Sequence, residues 1–283
     1  VAYFGVAESV VQATLIPYLS TAAITSDRAM LVRILTLDTT APIIESFGKD
    51  LNIGHLYIRF DEPVETSTFD PSGLSVVSSS SGGSAVLTGS DSITLVNLTT
   101  IDIDLTTTDF NNLKIAEAEG ALDVMVVAAN SAYDMRGNAY AGNTELTPIP
   151  EKDSAADSTP PVLTAVHLNL QTGILVLTFD EVIDSDKFDA RNITIMSTAT
   201  YASSTTFTLT QLTLVEVLST GDISLDLKSY KDDFISFGAL SGIGTSTSDT
   251  YIQYAAIPDM FGNLGAGVLQ VTKVTADTTP LVL

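Results

Sequence analysis

The chain has 283 residues, 45% of them hydrophobic, and sets 34 acidic against 12 basic side chains for a formal charge of −22. That surplus repels phosphate backbones and anionic lipid surfaces, which excludes nucleic acid as a partner class. Cysteine is absent, which removes disulfides, thiolate nucleophiles and cysteine-ligated zinc. No apolar run reaches the ~18 residues of a membrane span, and no signal-peptide pattern is visible. The expectation is a mature protein or a piece of one.

In chain order, residues 1–37 do not open a repeat. Ala13-Thr14-Leu15-Ile16-Pro17-Tyr18-Leu19 loosely resembles Asp249-Thr250-Tyr251-Ile252-Gln253-Tyr254-Ala255. This predicts the tail strands of a degenerate preceding repeat; the rival, an amphipathic helix over Glu8–Leu19, is opposed by Pro17. Asp38-Thr39-Thr40-Ala41-Pro42 then returns as Asp157-Ser158-Thr159-Pro160-Pro161 and again as Asp277-Thr278-Thr279-Pro280. A fixed period of about 120 residues means tandem domains. Residues 38–156 form repeat 1 and 157–276 repeat 2. Residues 277–283 begin a further repeat or supply an exchanged strand.

Within a repeat the apolar period is 2, as strands require. Leu56-Tyr57-Ile58-Arg59-Phe60 alternates, and Leu175-Val176-Leu177-Thr178-Phe179 repeats it, led by Gly54 and Gly173. Further strands are predicted in repeat 1 at Ile43–Phe47, Leu74–Val77, Ala85–Thr88, Ser92–Val96, Ile101–Leu105, Ala121–Ala128 and Ala139–Leu146. In repeat 2 they fall at Val162–Leu168, Ile193–Met196, Thr206–Leu209, Leu212–Leu218, Ile223–Leu227, Tyr251–Ala256 and Gly267–Val274. Helix is confined to single turns at Asp109–Leu113 and Tyr230–Phe234. The run from Ser78 to Ser84 reads as a flexible hairpin tip. Short strands of this number, separated by Gly, Ser, Asn and Asp turns, predict an all-β fold of tandem immunoglobulin-like β-sandwich domains.

Three motifs in fixed order, twice over, resemble the bacterial-type Ig-like (Big) repeats of S-layer proteins, adhesins and large algal or protist surface proteins. They are the Asp-Thr-Thr-x-Pro opener, Phe60-Asp61-Glu62-Pro63-Val64 with Ser67-Thr68-Phe69-Asp70, and Asp134-Met135-Arg136-Gly137-Asn138. Repeat 2 answers with Phe179-Asp180-Glu181-Val182-Ile183, Lys187-Phe188-Asp189 and Asp259-Met260-Phe261-Gly262-Asn263. It departs by Val182 in place of the proline and by six extra residues, placed by the sequence within Ser241–Ser248. The resemblance implies spacer, lattice unit or ligand binder alike.

In a sandwich of this topology the start of the first strand, the end of the second and the last hairpin share one pole. That gathers Asp157, Asp180, Glu181, Asp184 and Asp259 in repeat 2, and Asp38, Asp61, Glu62 and Asp134 in repeat 1. Clustered carboxylates suit a hard cation, so a junctional calcium ion is one expectation. The plainer alternative is that Asp134 and Asp259 cap hairpin turns closed by Gly137 and Gly262, with the Asp-Glu pairs as solvated turn ends. Asn97 and Asn192 begin N-glycosylation acceptor tripeptides. His55 and His167 occupy non-equivalent places and read as ordinary strand residues, and no phosphate loop, nucleophile elbow or zinc-helix motif is present.

These readings converge on an extracellular structural protein rather than an enzyme. Its partners would be copies of itself or neighbouring repeats, associating head to tail in a cell-surface filament, appendage or S-layer-type array, with glycans as a further partner. The alternatives are an adhesin or carbohydrate-binding module, with Tyr57, Tyr201 and Tyr230 as stacking residues, and the accessory domains of a secreted enzyme.

Overall fold

The computed structural model describes residues 3–4, 30–31, 37–144, 149–210, 214–217, 221–228 and 246–277. The chain divides into two compact units, Val1–Thr40 and Ala41–Leu283. In the first, strand β1 (Tyr3–Phe4) pairs antiparallel with β2 (Met30–Leu31). The helix weighed at Glu8–Leu19, the turn at Tyr230–Phe234 and the closing strand at residues 281–283 lie outside the described residues.

The second unit is mostly β and contains two hydrophobic clusters, one per half. In the first half, β3 (Ile44–Asp50), β4 (His55–Phe60), β8 (Thr100–Asp104) and β7 (Ser92–Asn97) form an antiparallel sheet in the order β3-β4-β8-β7. A second sheet runs β10-β9-β5-β6, from β10 (Ile149–Pro150), β9 (Val124–Val127), β5 (Leu74–Val77) and β6 (Ser84–Val86). In the second half, β11 (Leu163–Asn169), β12 (Ile174–Phe179), β16 (Asp222–Asp226), β15 (Leu214–Val217) and β19 (Lys273–Thr275) make one sheet, ordered β15-β16-β12-β11-β19. Opposite it stand β13 (Ile193–Met196), β14 (Thr206–Thr208), β17 (Tyr251–Pro258) and β18 (Leu264–Gln270).

Alternation explains which faces close on the cores. Leu56, Ile58 and Phe60 of β4 are buried while Tyr57 and Arg59 are not, and Leu175, Leu177 and Phe179 repeat the pattern on β12. Each such side chain contributes on the order of 1.5–3 kcal/mol by leaving water. The repeat extends to irregularities. Gly54 and Gly173 both take φ +76°, a left-handed conformation that glycine adopts without strain, at the turn into the second strand. Both first strands also bulge at matching places, between Ile44 and Ser46 and between Leu163 and Ala165.

Four expectations change. A thirteen-residue helix, α1 (Thr107–Glu119), replaces the single turn at Asp109–Leu113. Thr106 caps it by accepting from the Asp109 amide, and the segment contains no glycine or proline to stop it before Gly120. The strand over Ala139–Leu146 is not formed in its described part: Ala139 makes one bridge to Tyr133. There the Asn143 side chain stands in for the ladder, accepting from Val127 N and donating to Met125 O. The serine-rich tip is tied down, because Ser79 N and Oγ both donate to the Asp123 carboxylate. The extra residues of repeat 2 are spread rather than confined to Ser241–Ser248. Matching positions differ by 119 at the start of β5 and β13 (74 and 193) but by 122 at the start of β8 and β16 (100 and 222), so part of the insertion lies in the β13–β14 connection.

Helix α1 buries polar groups of opposite standing. Asp109 accepts from Thr88 N and Oγ1 and from Gly89 N, whereas neither amide atom of the fully buried Asn111 has a hydrogen-bonding partner. Asp109→Ala should therefore lower stability by roughly 1.5–3 kcal/mol and Asn111→Leu should raise it by about 1 kcal/mol. Urea titration of both variants checks this; an unchanged or lowered midpoint for Asn111→Leu contradicts it.

Candidate functional site

The junction between the halves of the second unit begins with the linker. Beyond β10 the chain lies parallel to β3: Lys152 N donates to Phe47 O (2.6 Å), Ala155 N to Lys49 O (2.8 Å), and Leu51 N to Ala155 O (3.0 Å). Asn52, in the turn after β3, then clamps the opener motif. Its Oδ1 accepts from Ser158 N and Oγ, each at 2.9 Å, and its Nδ2 donates to Ala156 O at 3.1 Å. Asp157 is thus fixed to the first half, with Oδ1 accepting from Thr159 N and Oγ1.

The second half supplies two more carboxylates. At the end of β12 neighbouring side chains point apart. Asp180 turns outward and accepts from Val162 N at 2.8 Å, as Asp61 accepts from Ile43 N at 2.7 Å, while Glu181 turns inward and is buried. Asp259, in the turn after β17, accepts from Phe261 N and from Asn263 N and Nδ2. Asp134 makes the matching set with Arg136 N and with Asn138 N and Nδ2. Gly137 (φ +87°) and Gly262 (φ +89°) close these two turns, so the turn-capping role holds for both aspartates. Phe261, from the Asp259 turn, packs against the core of the first half.

Asp157, Glu181 and Asp259 offer oxygens within 4.8 Å of one another, all three residues buried. The cation among them belongs to the protein. Lys114 of α1 donates from Nζ to Glu181 Oε2 at 2.5 Å and stands 2.8 Å from Asp157 Oδ2. The approach to Asp157 is off the hydrogen-bonding direction, and Oδ2 is buried without a hydrogen-bonding partner. The three side chains are 2%, 0% and 6% exposed, and Nζ also lies 4.5 Å from the centre of the Phe110 ring. With this ammonium in place the cluster does not fit a calcium ion, because a second cation would meet Lys114 rather than a free carboxylate shell. Burial pushes the Glu181 carboxyl up to about 7, against the hydrogen bond and charge of Lys114, while the charges of Asp157 and Asp259 push the same way as burial. Beside this network opens a cleft of about 430 Å³, bordered by Ile53, Phe110, Pro160, Val162, Lys114 and Glu181.

The other expected site residues lie outside this cluster. Asp184 lies outside this cluster and accepts from Asp186 N and from Lys187 N and Nζ. Glu62 is half-buried and comes within 4.8 Å of Asp134. Asp38 is exposed and accepts from Thr40 N. Asn97 is exposed and accepts from Thr99 N; Asn192 is half-buried, its Nδ2 reaching Ala256 O at 3.5 Å. His55 lies 2.9 Å from Asp102 and His167 3.0 Å from Thr275 Oγ1, both within sheets. Tyr57 and Tyr201 sit in different halves, and Tyr230 lies outside the described residues. The sequence reading missed Lys114, Asn52 and Phe261. Its one available signal was Lys114 set between Leu113 and Ile115, a charge inside an apolar stretch.

No protein-family model matches the chain, and no curated protein matches it. Among solved structures it is similar to the S-layer protein SbsC, at 11% identity and a TM-score of 0.28, over 83% of this chain and 26% of that one. The N-terminal part of the bacterial S-layer protein SbsC gives 10% identity and a TM-score of 0.28, over 82% of this chain and 44% of that one. The N-terminal four Ig domains of Dscam1 isoform 4.4 give 9% and 0.20, over 87% and 55%. The chain thus spans about a quarter of the length of the first S-layer structure. At these scores the likeness assigns no function.

Two outcomes follow from the buried charges. Lys114→Met leaves Glu181 and Asp157 buried without a counter-charge and should cost roughly 3–5 kcal/mol by denaturant titration, with Glu181→Gln in the same chain recovering part of it. The folded pKa of Glu181 lies above its ordinary 4.5, so the unfolded chain releases this proton first as pH rises. The stability held by the protonated group is full below about pH 4.5 and is lost as pH climbs to about 7. Melting temperatures across that window should fall more steeply for the wild type than for Glu181→Gln; parallel curves contradict the assignment.

Proposed function

We propose that this chain is part of an extracellular structural protein built from tandem immunoglobulin-like sandwiches of the bacterial Ig-like type, joined head to tail in a cell-surface array or filament. The observation that carries this reading is the junction. A linker laid along β3, an Asn52 clamp and a buried Lys114–Asp157–Glu181 network hold the two halves of the second unit together at their boundary. A spacer that transmits position needs such a joint, whereas a flexible tether gives reach without orientation.

The second half supports the same reading. Strand β19 lies parallel to β11, pairing His167 with Lys273 and Asn169 with Thr275, as the linker lies along β3 where Phe47 faces Glu151 and Asp50 faces Ala155. The chain therefore leaves both halves in one manner, toward an opener motif each time. Surface display and a formal charge of −22 fit together, since like-charged modules stay apart except where a specific joint draws them in.

Immunogold labelling of intact source cells, with electron microscopy of the purified chain, tests the proposal. Label on the outer surface and ordered assemblies of the purified protein are the expected results. Label confined to the cell interior overturns it.

A further inference from the structure

We propose that the junction is also a self-modifying site, at which Lys114 Nζ and Asp157 Cγ condense to a side-chain amide and Glu181 carries the proton. The inference goes beyond the scaffold reading and does not depend on it. Three observations meet at one point. An amine lies 2.8 Å from a carboxylate oxygen, that oxygen has no hydrogen bond to hold it as an ordinary ion pair, and a second carboxyl contacts the same nitrogen at 2.5 Å. All three side chains are nine-tenths or more buried, with the Phe110 ring beside the nitrogen.

The chemistry balances without any outside reagent. Lys114 enters as an ammonium with three N–H bonds and Asp157 as a carboxylate. Glu181 takes one proton from the ammonium, and the freed amine attacks Asp157 Cγ. Glu181 passes its proton to the departing oxygen, the nitrogen loses a second proton to the same oxygen, and water leaves. The N–Cγ bond forms, one Cγ–O bond breaks, one N–H remains, and Glu181 ends as it began.

In bulk water this condensation is unfavourable, yet the fold changes both terms. Holding the reactants in contact supplies an effective concentration of about 10⁵–10⁸ M in well-oriented cases. A low-dielectric setting raises the free energy of the ion pair relative to its neutral form. The cleft bordered by Lys114 and Glu181 gives the released water a way out.

Lys49 provides the internal contrast. It too is buried and bridges Glu151 at 2.5 Å and Glu117 at 3.3 Å, but those carboxylates are 25% and 16% exposed. Both keep contact with water, and Lys49 is further occupied by donating to Leu122 O at 2.6 Å. The same residue types therefore form an ordinary ion pair there.

The test is the mass of the full chain, purified, held at neutral pH and measured under denaturing conditions. The wild type should weigh one water less than its sequence, and protease digestion should release a branched peptide joining the Lys114 and Asp157 segments. Lys114→Arg should show the full sequence mass, and so should Glu181→Gln, in which both bonding partners remain. A wild type at full mass with no branched peptide overturns the proposal, and does so whether or not either variant folds. A branched peptide in Glu181→Gln overturns the role given to Glu181.

Discussion

Burying an ammonium group is costly by several kcal/mol unless it is paired, and in this fold Lys114 comes from one half while Asp157 and Glu181 lie at the start of the other. Neither half carries the counter-charge for its own members of this network. Separated, each keeps them in water. Joined, they are buried only in the register that sets the lysine between the two carboxylates. The network is therefore best understood as a device for orientation, since buried ion pairs add little net stability but penalise every mismatched arrangement.

The remaining contacts make that register reachable. The linker along β3 removes freedom before the second half begins, so Asp157 arrives at a fixed place. Glu181 is aimed by the alternation of β12, which sends Asp180 outward to Val162 N. Asp259 completes the acidic cluster and also shapes the turn that delivers Phe261 to the neighbouring core. One short motif thus serves a local purpose, closing a hairpin, and a longer-range one, burying an aromatic ring across the boundary.

What was legible in the sequence follows from the range of the forces involved. Strand alternation is local, so Leu56–Phe60 and Leu175–Phe179 declared their buried faces directly. The repeated acidic motifs declared their turns, because an aspartate capping its own loop acts within four residues. Helix α1 stayed hidden since its buried positions include Asp109, Asn111 and Lys114, which leave no apolar stripe to read. Lys114 as a partner stayed hidden for a different reason: its carboxylates lie 43 and 67 positions away (157 and 181 against 114), and nothing within the helix signals them. For the Asp157 cluster a hard cation was inferred from the acids alone, whereas the amine beside them comes from the other half.

That substitution of an amine for a cation changes how the boundary is encoded. A metal ion would bind any pair of modules presenting enough oxygens, and the acidic motifs recur in both repeats. An ammonium from α1 ties recognition to one residue of the preceding module, so a neighbour without a basic side chain at that helical position cannot satisfy Asp157 and Glu181. The specificity of the joint thus resides in helix α1.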